Sequence, residues 1–405
     1  MTMKRNPMTP PFRQWMSDAA RLTQGGQLQA ATEAIQQALR AAPGAAAAAA
    51  VAAPLVAGTV IDVEARVVRS EAAAQAAEPA PAANAAAAPA TPAASSGPAT
   101  RADAGPRPAD GEQWIDGQFT HGGRTLAYKL YVPPPLPGTS GASPGLVLML
   151  HGCTQGPADF AAGTQMNAHA RQAGFAVLYP EQTQHANAQK CWNWFKPQHQ
   201  QRGRGEPALL AALTQHVVAD VGADPARVYV AGLSAGGAMA DILGRCYPDV
   251  FAAVGVHSGL PRGAANDVMS ALGAMRSGAP AGAGGPGPVP PVIVFHGDAD
   301  TTVHPSNGAA LVDATGRRAA NGQAASEPPQ VTQGRSEGGR GFTRTVYRAA
   351  GNRGALEHWQ LHGVGHAWSG GDARGSYTEP KGPDASAEML RFFRAHALER
   401  SGTPS

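Results

Sequence analysis

From about Gly111 onward, short runs of Val, Leu and Ile alternate with longer stretches in which apolar residues recur every three or four positions. That is the pattern of strands interleaved with helices. Trp114–Phe119 and Leu126–Val132 predict an opening antiparallel pair. Leu146–Leu150, Phe175–Tyr179, Val228–Leu233, Phe251–His257 and Val292–His296 predict further strands. These runs are continuously apolar, as expected of strands covered on both faces. Helices are predicted over 159–173, Ala208–Val221, a stretch from Ala235, and Ala385–His396, with late strands at Thr345–Arg348 and Glu357–Leu361. The polar stretch around 317–341 reads as a long loop, and the sequence does not decide whether it acts as a lid. The whole predicts an α/β domain over 111–400, a mainly parallel sheet with helices on both faces.

Two zones of different character precede it. Phe12, Trp15, Met16, Ala19 and Leu22 are followed by Gly25-Gly26 and then by Leu28, Ala31, Ile35 and Leu39. This spacing predicts a short helical hairpin within 1–40. Neither arm is long enough to be stable alone, so the hairpin must pack on something. It reads either as a docking or self-association element or as an appendage lying on the main domain. Residues 41–110 are almost entirely Ala, Pro, Gly and small polar residues. Such a stretch buries too little apolar surface to offset chain ordering, which predicts a mostly disordered linker.

Composition narrows the function classes. The chain has 405 residues, 43% of them hydrophobic, enough for a large core. No uninterrupted apolar run reaches the roughly 18 residues of a membrane span. A formal net charge of +3 is too small to predict a nucleic-acid partner. Residues 1–25 carry no readable secretory signal, which on its own predicts a cytoplasmic protein. The 3 cysteines allow one bridge and one thiol, or free thiols throughout. No Cys/His set has zinc-ligand spacing, so neither metal nor other cofactor is expected.

Candidate chemistry lies just beyond the strand ends, where open parallel sheets place their sites. Val228–Leu233 runs into Gly232-Leu233-Ser234-Ala235-Gly236, a Gly-x-Ser-x-Gly turn between a strand and a helix. Such a turn presents the serine hydroxyl at the top of the sheet and aims the Ala235 amide at a developing oxyanion. A serine needs a base, and the base an orienting acid, which in this architecture follow it in the chain. Val292–His296 leads into Asp298 and Asp300. Asp300 is the better acid, far enough past the strand to bend back towards an imidazole, whereas Asp298 sits in the turn itself. His366, in a Gly-rich loop after Glu357–Leu361, is the expected base. A second oxyanion donor is expected at Cys153 or Thr154, after Leu146–Leu150, with His151 fixing that loop. Trp192, Trp194, Phe195 and Trp368 could form an apolar acyl pocket or polymer track, and His257 could line it, although a structural role is the first expectation for this histidine. Core packing would explain each aromatic separately. Cys153 and Cys191 are either a bridge that pins the aromatic run beside the site or two free thiols; Cys246 reads as a buried thiol.

His151–Gln155, Tyr179–Gln182, Cys191–Phe195, Gly232–Met239, Val256–Pro261, His296–Val303 and Gly365–Gly370 together resemble the polyhydroxybutyrate depolymerase-like esterases of the α/β-hydrolase superfamily. The resemblance spans about 111–398 with the motifs in family order. It implies a carboxylic-ester hydrolase with Ser234, Asp300 and His366 as triad, acting on polyhydroxybutyrate-type polyesters or short hydroxyacyl oligomers. By the same resemblance Cys153 and Cys191 correspond to a bridging pair. The hairpin is similar to an N-terminal extension of bacterial members, and many relatives are exported, which implies an extracellular location. The alternatives are a feruloyl or acetyl esterase on plant polysaccharide and, in a different class, a catalytically silent protein that binds polymer or granules.

Overall fold

The computed structural model describes residues 111–136, 142–284, 289–319, 328–347 and 355–399. The predicted N-terminal hairpin and the linker lie outside the described residues.

The chain enters through strands β1 (Gln113–His121) and β2 (Arg124–Val132), an antiparallel hairpin turned at Gly122-Gly123. There follow β3 (Gly145–Leu150), α1 (Pro157–Thr164), α2 (Met166–Ala173), β4 (Phe175–Pro180), α3 (Gly205–Val221), β5 (Val228–Leu233), α4 (Ala235–Cys246), β6 (Ala253–His257), α5 (Val268–Ser277) and β7 (Val292–Gly297). The remainder is α6 (Ser306–Ala319), β8 (Gln330–Arg335), β9 (Gly341–Tyr347), β10 (Leu356–Leu361), two short strands β11 (Trp368–Ser369) and β12 (Thr378–Glu379), and α7 (Ala385–Arg394).

Ten strands form one sheet in the order β1-β2-β4-β3-β5-β6-β7-β10-β9-β8. The run from β4 to β10 is parallel, with antiparallel pairs at both edges. Successive strand residues point to opposite faces, and here both faces are core. Leu146, Leu148, Val230 and Val294 pack with Leu210 and Leu213 of α3 and Met239 and Ile242 of α4. Val147, Met149, Tyr229 and Ile293 pack with Phe160 of α1, Met166 of α2, and Phe392 and Phe393 of α7. This is why the strands read as unbroken apolar runs. The architecture is an α/β-hydrolase sheet.

Three expectations need correction. The helix expected over 159–173 is two helices, broken at Gln165, whose φ of 52° is left-handed. There the Thr164 hydroxyl donates to the Phe160 carbonyl and accepts from the Met166 amide, so side-chain bonds replace helical ones. The strand expected from Phe251 begins at Ala253. The supposed loop around 317–341 begins in α6, and Gln330–Arg335 is an edge strand paired with β9.

Candidate active site

Strand β5 ends at the Gly232–Gly236 turn, and Ser234 takes φ 58° and ψ −120°, a strained conformation for a non-glycine residue. Glycine is obligatory at the second flank: a Cβ on Gly236 would run into the Leu150 and His151 carbonyl oxygens at the end of β3. The Ser234 amide donates to the His257 carbonyl at 2.9 Å, tying the turn to the end of β6. The first helical bond of α4 runs from the Ala238 amide to the Ser234 carbonyl, so the Ala235 N–H has no intrahelical acceptor.

Two strands further along, the segment after β7 folds back on itself. The Asp300 carboxylate accepts from the Thr302 and Val303 amides through Oδ1, while Oδ2 lies 2.7 Å from His366 Nδ1 and 3.5 Å from His296 Nε2. Burial alone would raise this carboxyl. The hydrogen bonds from His296 and His366, with the charge of His366 and the Val303 amide, outweigh it and hold the group well below the ordinary carboxylate range. Asp298 does something else. It is half-exposed, accepts from the Gly363 amide and faces His362 at 3.1 Å, fastening the start of the loop that carries His366.

His257 links the serine and histidine segments. Its ring is fully buried, stacks on Phe295 and on Trp368, and its Nε2 accepts from the Ser369 amide at 3.0 Å. Ser234 is thereby fixed to the same framework as Trp368 and Ser369, just beyond His366. Burial, with the nearby His296 and His366 charges, pushes the His257 imidazole down to about 3.

The loop after β3 is tightly specified. His151 Nδ1 donates to the Gly152 carbonyl and Nε2 accepts from the Gln182 amide, so the ring fixes the loop; burial lowers it to about 4. Cys153 and Cys191 form a disulfide, and the Thr154 amide donates to the Gln189 carbonyl at 2.7 Å. This corrects the oxyanion expectation: the Thr154 N–H is already engaged. The Cys153 N–H has no protein acceptor among the described residues. Cys246 is a buried thiol whose Sγ–H donates to the Gln200 carbonyl, and burial pushes it up.

The expected substrate aromatics are corrected as well. Trp192 and Trp368 are fully buried, with indole N–H groups donating to the His151 carbonyl and the Ser386 hydroxyl. Trp194 and His257 are also core residues. These four side chains build the framework under the site and offer it no surface, whereas Phe195 is half-buried. Burial of an indole with its N–H satisfied is a packing outcome that motif spacing does not carry. An exposed aromatic at this rim that sequence reasoning missed is Tyr377. It stands in a Gly- and Ser-rich loop without apolar periodicity, so no sequence signal marked it.

Comparison with known proteins agrees with this architecture. Residues 126–325 match the family model described as Esterase PHB depolymerase. Over those residues the chain is similar to the PHB depolymerase-like esterases. Over 259 residues it is 34% identical to poly(3-hydroxyalkanoate) depolymerase C of Paucimonas lemoignei, covering 61% of this chain and 59% of that protein. Over 131 residues it is 34% identical to feruloyl esterase B of Neurospora crassa, covering 32% of this chain and 42% of that protein. The chain thus spans only about half the length of these relatives. Among solved structures it resembles the acetyl xylan esterase from Aspergillus awamori, with a TM-score of 0.51, 22% identity, and coverage of 66% of this chain and 94% of that one, a likeness of fold.

Proposed function

We propose that this esterase-family chain hydrolyses carboxylic esters by two-step acyl transfer at Ser234, with polyhydroxybutyrate-type polyesters or their short hydroxyacyl oligomers as substrates. The observation that carries this reading is the 2.7 Å Asp300–His366 contact at the sheet rim that also holds the strained Ser234 turn. His366 Nε2 takes the serine proton as Ser234 Oγ attacks the ester carbonyl. Asp300 holds the imidazole with its Nδ1–H inward and stabilises the imidazolium. The Ala235 and Cys153 amides receive the tetrahedral oxyanion. The imidazolium then protonates the leaving alcohol, and a water deprotonated by the same ring releases the acid and restores the serine. Within the aromatic run the acyl contact is assigned to Phe195, because its ring is only half-buried.

Replacing Ser234 with Ala removes the nucleophile, and turnover of p-nitrophenyl butyrate falls about 10³-fold or more while circular dichroism is unchanged. Activity within tenfold of wild type would refute the assignment. A second reading, a feruloyl or acetyl esterase, draws on the relative named feruloyl esterase B and uses the same residues with a different acyl partner. Parallel assays on polyhydroxybutyrate, hydroxybutyrate oligomers, methyl ferulate and acetylated xylan separate the two by the ratio of kcat/KM values.

A further inference from the structure

We propose that Tyr377 is a specificity-determining residue, an aromatic wall beside the oxyanion loop against which the substituent of the ester packs; this rests on the ester-hydrolase reading above. The tryptophans at this rim are turned inward: Trp192, Trp194 and Trp368 are buried, whereas Tyr377 is 47% exposed. Its backbone has φ 53°, a conformation costly for a bulky residue and retained only where the surroundings enforce it.

The surroundings do enforce it. On one side, Ser376 donates its amide and its hydroxyl to Asp159, and the Gln155 side chain donates to the Ser376 carbonyl and hydroxyl. On the other, the Trp368 amide donates to the Tyr377 carbonyl at 2.7 Å, two residues beyond His366. Tyr377 therefore bridges the loop of the proposed oxyanion donor and the loop of the proposed base.

Its hydroxyl lies 3.2 Å from Thr154 Oγ1. The single Thr154 hydroxyl proton is committed to the Cys153 carbonyl at 2.6 Å, so the phenol is the donor. Thr154 is itself strained, with φ 65°. Two strained residues distant in sequence thus meet at the loop of the proposed oxyanion donor, and the tether holds the phenol ring in one orientation beside that loop. A fixed, half-exposed ring whose polar tip is already satisfied presents its apolar face. The ligand chemistry it suits is an apolar acyl or alkoxy group of more than a few carbons.

The test is steady-state kinetics of Tyr377→Ala and Tyr377→Phe on two ester series. One varies the acyl chain, from p-nitrophenyl acetate to hexanoate; the other varies the alcohol, from methyl to benzyl butyrate. In Tyr377→Ala the preference for the larger substituent falls about fivefold or more in at least one series, through KM more than kcat, because an apolar contact of this size is lost. Tyr377→Phe keeps the ring and holds that preference within about twofold of wild type. If Tyr377→Ala melts early, Tyr377→Arg carries the test, since a charge on this wall penalises the larger substituents most. Preferences unchanged in both series for the Ala or Arg variant overturn the proposal. Labelling of wild-type Ser234 by a fluorophosphonate is read in parallel. A wild type that neither labels nor cleaves any ester defeats the hydrolase reading, whereas normal labelling with unmoved preferences defeats the role of Tyr377 alone.

Discussion

Asp300 and Asp298 stand two residues apart in one turn and have opposite environments. Asp300 is buried against two imidazoles, whereas Asp298 is half-exposed and serves the neighbouring loop. Asp300→Asn keeps the volume but cannot hold the His366 tautomer, and kcat for a short ester falls about 10³–10⁴-fold. Asp298→Asn breaks an exposed contact of small worth and leaves kcat within a factor of about three. The ratio of the two kcat values is the measurement, and equal losses would reverse the assignment of acid and clamp. The folded Asp300 carboxyl lies below its unfolded value, so its stabilising contribution is complete above the ordinary carboxylate range and is lost only as pH falls through the lower folded value. No change in melting temperature above about pH 5 traces to this group.

At the scale of elements, two constraints shape the site. The β5–α4 turn closes against the end of β3, where Gly236 leaves no room for a Cβ beside the Leu150 and His151 carbonyls. Gly236→Ala must push backbone against backbone, and its soluble yield and melting temperature both drop; a variant as stable as wild type would show that the turn relaxes freely. The Cys153–Cys191 bridge ties the loop after β3 to the segment that also supplies Gln189 as acceptor for Thr154. Reduction, or Cys191→Ser, loosens the proposed Cys153 donor without emptying the core. We expect kcat to fall about tenfold or more with KM nearly constant, less than the full loss of an oxyanion donor. A rise in KM alone would place the bridge with substrate binding instead.

At the scale of the molecule, several imidazoles are sealed into the framework. Burial lowers His151 to about 4 and His257 to about 3, and burial with the His296 charge lowers His358 to about 4. The unfolded chain binds protons at these groups from about pH 6.5 downwards, while the folded protein does not. Proton uptake on unfolding makes stability decrease as pH falls through that window, down to the folded values. The melting temperature therefore declines between pH 6.5 and 4, and His358→Phe, which removes one such group, flattens the slope. A melting temperature level across that range would mean that these rings protonate without unfolding.

Much of this molecule was legible in the chain because its signals are local. Continuous apolar runs marked the buried parallel strands, glycines marked the β5–α4 turn, and chain order singled out Asp300 and His366, which the fold brings into contact. Elements without such signals were not legible. Strand β8, Gln-Val-Thr-Gln-Gly-Arg, is an exposed edge held by main-chain bonds to β9, so no hydrophobic pattern betrays it. Helix α5 starts from an Asp267–Ser270 capping box in a Gly- and Ala-rich stretch whose apolar face is largely exposed. What tertiary structure alone decided is which groups are spent inside the fold and which remain for a substrate. The Thr154 amide is taken by Gln189, the tryptophans are turned into the core with their indole N–H groups satisfied, and Tyr377 is left facing outward. Exposure and hydrogen-bond partners depend on segments separated by 18 residues in one case and 223 in another, and no local pattern of residues contains them.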